Sequence, residues 1–205
     1  MFTGIITDIG TIERVAPRGD LRVVIRTAYD MASVDFGASI ACSGVCLTVV
    51  EKGPGWFAVD VSAESQRRTA QGQWREGRRL NLERAMKLGD ELGGHIVTGH
   101  VDGLGEVARV TPEGDSWEVA FRLPADLAPY VAAKGSVTVD GVSLTVNRVT
   151  DGPEGTEFTV NIIPHTQAVT TLGTLAAGDA VNIEIDVLAR YLFRMESWRR
   201  THSTV

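Results

Sequence analysis

Phe2 to Val15 reads FTGIITDIGTIERV, and Val97 to Val110 reads VTGHVDGLGEVARV, with Thr, Gly, Gly, Arg and Val in register. Three more blocks repeat in the same order. Ala38–Val49 (ASIACSGVCLTV) lies over Gly135–Val146 (GSVTVDGVSLTV), Phe57–Val61 (FAVDV) over Phe158–Ile162 (FTVNI), and Gly77–Glu83 (GRRLNLE) over Gly178–Glu184 (GDAVNIE). The offset grows only from 95 to 101 residues along the chain. Ordered matches at one period are the mark of a duplicated structural unit. The 205 residues divide into a first unit over 1–92, a second over 93–186, and a unique tail over 187–205.

Each unit reads as β. Leu21–Ile25 and Thr156–Ile162 are rich in apolar and β-branched residues, and Gly and Asp clusters separate such stretches at intervals suited to a small barrel or sandwich. Closing the sheet removes exposed edges, which keeps so small a unit soluble. Short helices are expected near 64–71 and 125–133. In the tail, Asp186 can cap a helix in which Leu188, Tyr191, Leu192, Met195 and Trp198 recur at helical spacing among Arg190, Arg194, Arg199 and Arg200. That stripe suits a helix packed on its own barrel as well as one meeting copies of itself.

Charge and cysteine usage narrow the function. A net charge of −6 disfavours a nucleic-acid binder, which gathers Lys and Arg on one face. The one basic cluster, Arg67-Arg68 with Arg75, Arg78 and Arg79, is interrupted and reads as a solvated face. Two cysteines are too few for a disulfide framework. On one strand Cys42 and Cys46 would share a face, well separated, which is poor bridging geometry. Reduced thiols and a start without a basic, apolar leader point to the cytoplasm. No apolar run reaches the ~18 residues of a membrane span.

Chemistry concentrates where the copies differ. His100 stands where the first unit has Ile5, and Cys46 where the second has Ser143. Histidine can move protons near neutral pH. A thiol and a hydroxyl at matched positions argue that both face something polar, with Thr48 and Thr145 on the same strand faces. The bland readings are a structural histidine and a small buried hydrophobe. Gly93-Gly94-His95 and Gly99-His100 mark a place where backbone approaches a ligand closely. Cys42/Cys46 and His95/His100 have ligand-like local spacing, but the second unit does not repeat the cysteines, and a zinc site is disfavoured. No phosphate loop or nucleophile elbow is present.

MFTGII, SGVCLTV, GGHIVTGHVDG, DGVSLTVN and VNIEID together resemble the riboflavin synthase family, some of whose motifs are shared with non-catalytic lumazine proteins. The resemblance implies an all-β chain of two tandem six-stranded antiparallel Greek-key β-barrels plus a C-terminal α-helix. It implies a homotrimer whose productive site lies between the N-terminal barrel of one chain and the C-terminal barrel of its neighbour. The reaction implied is a dismutation of two 6,7-dimethyl-8-ribityllumazine molecules to riboflavin and 5-amino-6-ribitylaminouracil, with no cofactor or metal. A lumazine or flavin carrier is the alternative, and lumazine synthase is a candidate partner.

By the same resemblance the first half-site uses Gly4, Ile5, Ile6, Cys46, Leu47, Thr48, Asp60, Val61, Ser62, Ala63, Glu64 and Ser65. The second uses Gly99, His100, Val101, Lys134, Ser143, Leu144, Thr145, Asn161, Ile162, Ile163, Pro164, His165 and Thr166. Phe2, Thr3, Ser39, Cys46, His100, Asp140 and Asp186 match positions linked to catalysis or to shaping the site, and Asp60 and Asn161 suit ribityl hydroxyls. Ser65-Gln66-Arg67-Arg68 departs from the family's usual Thr-Leu-Arg type, although Ser65 keeps the hydroxyl.

Overall fold

The computed structural model describes residues 1–153 and 155–202. The first unit holds β1 (Asp8–Arg18), β2 (Asp20–Arg26), β3 (Ser39–Cys42), β4 (Val45–Gly53), β5 (Trp56–Val61), the short α1 (Ala63–Arg68) and β6 (Arg79–Arg84). The second holds β7 (Gly103–Glu113), β8 (Ser116–Leu123), β9 (Ser136–Val139), β10 (Val142–Gly152), β11 (Gly155–Ile162), α2 (Pro164–Val169) and β12 (Ala180–Ile185), and α3 (Val187–His202) follows. Each unit closes into an antiparallel barrel, in the orders β1-β2-β5-β4-β3-β6 and β7-β8-β11-β10-β9-β12. In both, a later strand inserts beside the first hairpin, which is the Greek-key path.

Alternation builds the cores. Val23, Ile25, Ile40, Phe57, Val59, Leu80 and Leu82 fill the first barrel, and Val119, Phe121, Phe158, Val160, Val181 and Ile183 the second. Even the irregularities are duplicated. Bulges interrupt the ladders after Ile12 and Val107, and again after Val49 and Val146. Such bulges supply the local twist that a small barrel needs to close.

The barrels meet at two matched turns. Ser43 (φ 45°) and Gly44 (φ 85°) link β3 to β4, while Asp140 (φ 45°) and Gly141 (φ 81°) link β9 to β10. Two positive φ values in a two-residue loop define the turn that suits twisted hairpins. A Cβ on Gly141 would lie 2.7 Å from the Gly44 nitrogen, so the turns touch backbone to backbone. Asn81 donates from Nδ2 to the Asp140 carbonyl at 2.8 Å, and Asn182 donates to the Ser43 carbonyl at 2.8 Å. The interface thus repeats itself about a local pseudo-twofold axis.

Three expectations need correction. Cys42 and Cys46 do not share a strand: the Ser43-Gly44 turn parts them, and Cys42 opposes Val45 while Cys46 opposes Ala41. Cys42 points into the core and Cys46 lies on the outer face. The helix expected over 125–133 is a single 3-10 turn at Ala128–Tyr130. Leu127 and Tyr130 donate to carbonyls three residues back, and Pro129 has no N–H with which to extend the turn. The helix expected over 64–71 is confined to Ala63–Arg68, because Thr69 turns to extended backbone (φ −109°, ψ 161°).

The terminal helix starts as its cap predicts, with Asp186 Oδ1 accepting the Leu188 N–H at 2.8 Å. It touches its own barrel through Phe193, whose ring lies 4.7 Å from that of Tyr130, and through Arg190, paired with Asp102. The apolar stripe is not used in that contact. Leu188, Tyr191, Leu192, Met195 and Trp198 are 52–68% exposed.

Asp140 gives the interface a pH dependence. Burial pushes its carboxyl up to about 6, although the Asn182 N–H (2.8 Å from Oδ1) and Arg78 pull the other way. The folded value lies above the unfolded one of about 3.9, so the group adds stability below about pH 4 and loses it as pH rises past about 6. At neutral pH the ionised form costs roughly 3 kcal/mol at most. Asp140→Asn keeps the acceptor and suits the left-handed backbone. The variant is expected to melt higher than wild type at about pH 8, with no gain at about pH 4. A wild type equally stable at the higher pH would contradict this.

Candidate functional site

The segments that precede β1 and β7 leave their own barrels and cross to the other. Phe2 and Val97 form an antiparallel bridge at the crossing, with N···O distances of 2.8 and 3.1 Å. Beyond it the Cys46 N–H donates to the Gly99 carbonyl, and the Ser143 N–H to the Gly4 carbonyl, each at 2.8 Å. Val101 packs against the first barrel's core and Ile6 against the second's. The half-sites implied by the resemblance are therefore regrouped within this chain. Gly99-His100-Val101 joins Cys46, and Gly4-Ile5-Ile6 joins Ser143.

Two buried carboxylates set these crossings. Glu184 on β12 accepts from the Thr98 N–H (2.7 Å), the Thr98 hydroxyl (2.6 Å), the Gly99 N–H (2.9 Å) and the His100 N–H (3.1 Å). Glu83 on β6 accepts from the Thr3 N–H (2.7 Å), the Thr3 hydroxyl (2.8 Å) and the Gly4 N–H (2.9 Å). Burial raises both carboxyls, and these donors oppose the rise. A buried carboxylate is tolerable only with its lone pairs met in this way. Gly99 is required at a close approach, where a Cβ would lie 2.6 Å from that of Cys46.

A cavity of about 400 Å³ opens beside the first crossing, lined by Cys46, Glu64, Ser65, Arg68, Gly99, His100, Val101, Asp102 and Arg190 among others. Its size suits a small heterocycle. Thr48 shares the outer face of β4 with Cys46, as the alternation predicts. Asp60 lies on the outer face of β5, its carboxylate 2.7 Å from Arg22 Nε. Ser62 caps α1, which begins at Ala63, by accepting the Ser65 N–H at 3.1 Å. Leu47, Val61, Leu144 and Ile162 point into the cores, so only their backbones can serve a ligand.

Around the second crossing, His95 sits on Ser143, with Nδ1 2.7 Å from the hydroxyl and Nε2 3.2 Å from that of Thr138. Burial lowers the His95 imidazole, and Asp186 opposes that shift. Thr145 shares the outer face of β10 with Ser143. Asn161 accepts from the Asn147 amide (2.9 Å) and donates to the Glu113 carboxylate (3.1 Å). Ile163 precedes α2, which carries Pro164, His165 and Thr166. Lys134 adopts a left-handed backbone (φ 65°).

The residues matched to catalysis are dispersed. Cys46 and His100 share the cavity, and Phe2 and Thr3 build the crossings. Ser39 opposes Thr48 on β3. Asp140 lines a different cavity, of about 720 Å³, with Arg75, Arg78 and Arg79. Asp186 caps α3. The four residues with metal-like spacing are also separated, Cys42 in the core, His95 on Ser143, Cys46 and His100 at the cavity. No group of three or more His, Cys, Asp or Glu suited to a metal ion occurs among the described residues.

The lumazine binding domain family matches residues 3–85 and again 98–186. A riboflavin synthase of Brucella abortus (strain 2308) is 52% identical over 98% of this chain and 100% of that protein. The chain belongs to the riboflavin synthase family. A riboflavin synthase of Photobacterium phosphoreum is 45% identical, covering 95% of this chain and 88% of its own. Among solved structures, LumP complexed with 6,7-dimethyl-8-(1'-D-ribityl) lumazine superposes with a TM-score of 0.77 at 26% identity, over 90% of this chain and 99% of that one. The same protein complexed with riboflavin gives a TM-score of 0.79 at 27% identity, over 90% of this chain and 99% of that one. The two matches to the lumazine binding domain fall on the two barrels.

Sequence reasoning passed over Glu83, Glu184, Arg68, the Asp102–Arg190 pair and the bond between His95 and Ser143. The signal for the two glutamates was present, since each closes a block that repeats Asn-x-Glu in both copies. Polar residues alternating with apolar ones read as a solvent face, and here that face is covered by the other barrel.

Cys46→Ser is expected to lower turnover of a bound heterocycle far more than affinity for it, measured by steady-state kinetics beside equilibrium titration. Cys42→Ser should leave both unchanged while lowering the melting temperature. Its hydroxyl would enter the apolar core, at a cost of about 1–3 kcal/mol. Burial already holds the Cys42 thiol far above the usual range, leaving it inert. Equal losses of turnover in the two variants would remove Cys46 from the site.

Proposed function

We propose that the protein acts as its family does, joining two 6,7-dimethyl-8-ribityllumazine molecules in a dismutation that yields riboflavin and 5-amino-6-ribitylaminouracil. The observation that carries this is the asymmetry between two otherwise matched half-sites. One offers the Cys46 thiol and the His100 imidazole, and the other offers the Ser143 hydroxyl bonded to His95. A passive carrier has no need of two differently equipped seats for one ring system. The lumazine and riboflavin bound by LumP support a ring system of this class as the ligand.

A four-carbon unit passes between two like molecules, and every substrate atom reappears in the two products. No outside oxidant or reductant enters the balance. The methyl on C7 of the donor is acidified by delocalisation into its ring, so a nearby imidazole can take and return that proton. The thiol and the hydroxyl suit addition to, and release from, the acceptor ring. Holding the two rings in a fixed opposed orientation lowers the barrier further.

The productive pair of half-sites belongs to neighbouring chains in this proposal, N-terminal barrel facing C-terminal barrel, in a homotrimer gathered by α3. The open stripe on that helix supports the assembly, since such side chains contribute about 1.5–3 kcal/mol each when buried. The division is then two lumazine-binding units over 1–92 and 93–186 and an assembling tail over 187–205. The thiols are consistent with a cytoplasmic enzyme, and lumazine synthase is the natural supplier of its substrate. No described helix is long and apolar enough to cross a membrane.

Purified protein incubated with the lumazine in the presence of a chelator is expected to form one riboflavin per two substrates, followed by riboflavin fluorescence. Binding without turnover would make it a carrier, and activity lost with a stoichiometric metal would revive a zinc role. Cutting the chain after Asp186 should give a smaller species in sedimentation that still binds lumazine and makes riboflavin slowly or not at all. A truncated form of unchanged size and activity would show that α3 only packs on its own barrel.

A further inference from the structure

The His100 segment is held at two points. Glu184 fixes its backbone N–H, and two residues on, Asp102 fixes its exit. Asp102 is only 13% exposed at the side chain and accepts the Ile185 N–H at 3.0 Å. It also accepts both terminal nitrogens of Arg190, at 2.7 and 2.9 Å. The two parallel bonds fix orientation as well as distance, which a single ammonium contact would not. Arg190 sits in the first turn of α3, one turn before Phe193, so this ion pair and the Tyr130–Phe193 contact are what seat the helix on its barrel. Both charged partners, with His100 and Cys46, line one cavity wall.

Among the described residues the other half-site has no such link. Thr7 stands in the place of Asp102, its hydroxyl 2.5 Å from that of Tyr29, which in turn donates to the Leu82 carbonyl at 3.0 Å. The exit of that segment at Thr7 is secured within the first barrel. Nothing in the first unit corresponds to α3. The duplication therefore produced two crossings, and among the described residues only the one bearing His100 is tied by an ion pair to an element outside the repeat.

We propose that Arg190 is a positioning residue for the Cys46/His100 half-site, its ion pair with Asp102 making the seat of His100 depend on where α3 stands. The same helix presents its apolar stripe on the opposite side, so its placement by other copies is transmitted to the half-site through one rigid contact. Turnover is then set by assembly even where a subunit's own ligand contacts are intact. This rests on the proposed function for its kinetic consequence, but not for its geometry.

The test compares full-length Arg190→Met, which keeps the aliphatic stem, with Asp102→Asn and the double variant. Sedimentation and melting temperature are recorded with kcat, KM and the imidazole NMR signal of His100. In Arg190→Met the expected result is an intact oligomer, a melting temperature lowered by a few degrees but well above the assay temperature, and a KM within about twofold, with kcat lowered about tenfold and the His100 signal displaced. The double variant should be no slower than the worse single one, because both remove one interaction. Wild-type kcat with an unmoved His100 signal would overturn the proposal, as would a kcat that falls only in step with dissociation or melting. If wild-type protein binds lumazine without turnover, the functional reading fails, while the displaced or unmoved His100 signal still decides the role of Arg190.

Discussion

Everything in the molecule that resembles a site depends on two carboxylates buried between the barrels. Glu83 and Glu184 each gather backbone N–H groups and a threonine hydroxyl from an extended segment that would otherwise run free. Left unpaired, each charge would cost several kcal/mol at that depth. Satisfied, each fixes the direction in which the chain leaves its barrel. The segments are aimed across the interface, where Gly4 and Gly99 offer carbonyls to Ser143 and Cys46. Binding surface, barrel pairing and chain path are consequences of one repeated arrangement.

Symmetry explains the scaffold, and its breaking explains the chemistry. The matched turns, asparagine contacts and glutamate clamps recur about the pseudo-twofold axis with nearly equal distances. The side chains facing outward at the crossings do not recur. Isoleucine faces histidine, serine faces cysteine and threonine faces aspartate across the repeat. A duplicated frame can hold two copies of one ligand in related poses, and the differences give each pose its own reactivity.

The barrels were legible from the sequence because alternation and repetition both act over short range. Phe57 and Phe158, or Leu82 and Ile183, announce their inward direction within a few residues of chain. The exchange of segments was not legible, since nothing in FTGII or VTGHV says which barrel it will touch. Residue order suggested that Gly4 serves the unit it begins, and the Ser143–Gly4 bond shows otherwise. Asn81, Asn182, Glu83 and Glu184 were hidden for a related reason. They occupy positions that alternate toward solvent in an isolated barrel, and a second barrel removes the solvent. Cys42 and Cys46 misled through a turn of two residues, which no spacing rule distinguishes from continuous strand.

The crossing of segments also sets a timetable for synthesis. The rim of the first barrel carries the Cys46 N–H, whose partner carbonyl belongs to Gly99. The last strand of that barrel ends at Arg84, Gly99 follows about 15 residues later and Ser143 only about 60 later, which at about 5–20 residues per second leaves a gap of several seconds before both crossings can form. During it the nascent first barrel has its own strands but an uncovered rim, and its opening segment has no Ser143 to receive it. The first barrel thus emerges closed around its core and open at its function, and translation of the second copy completes both halves together.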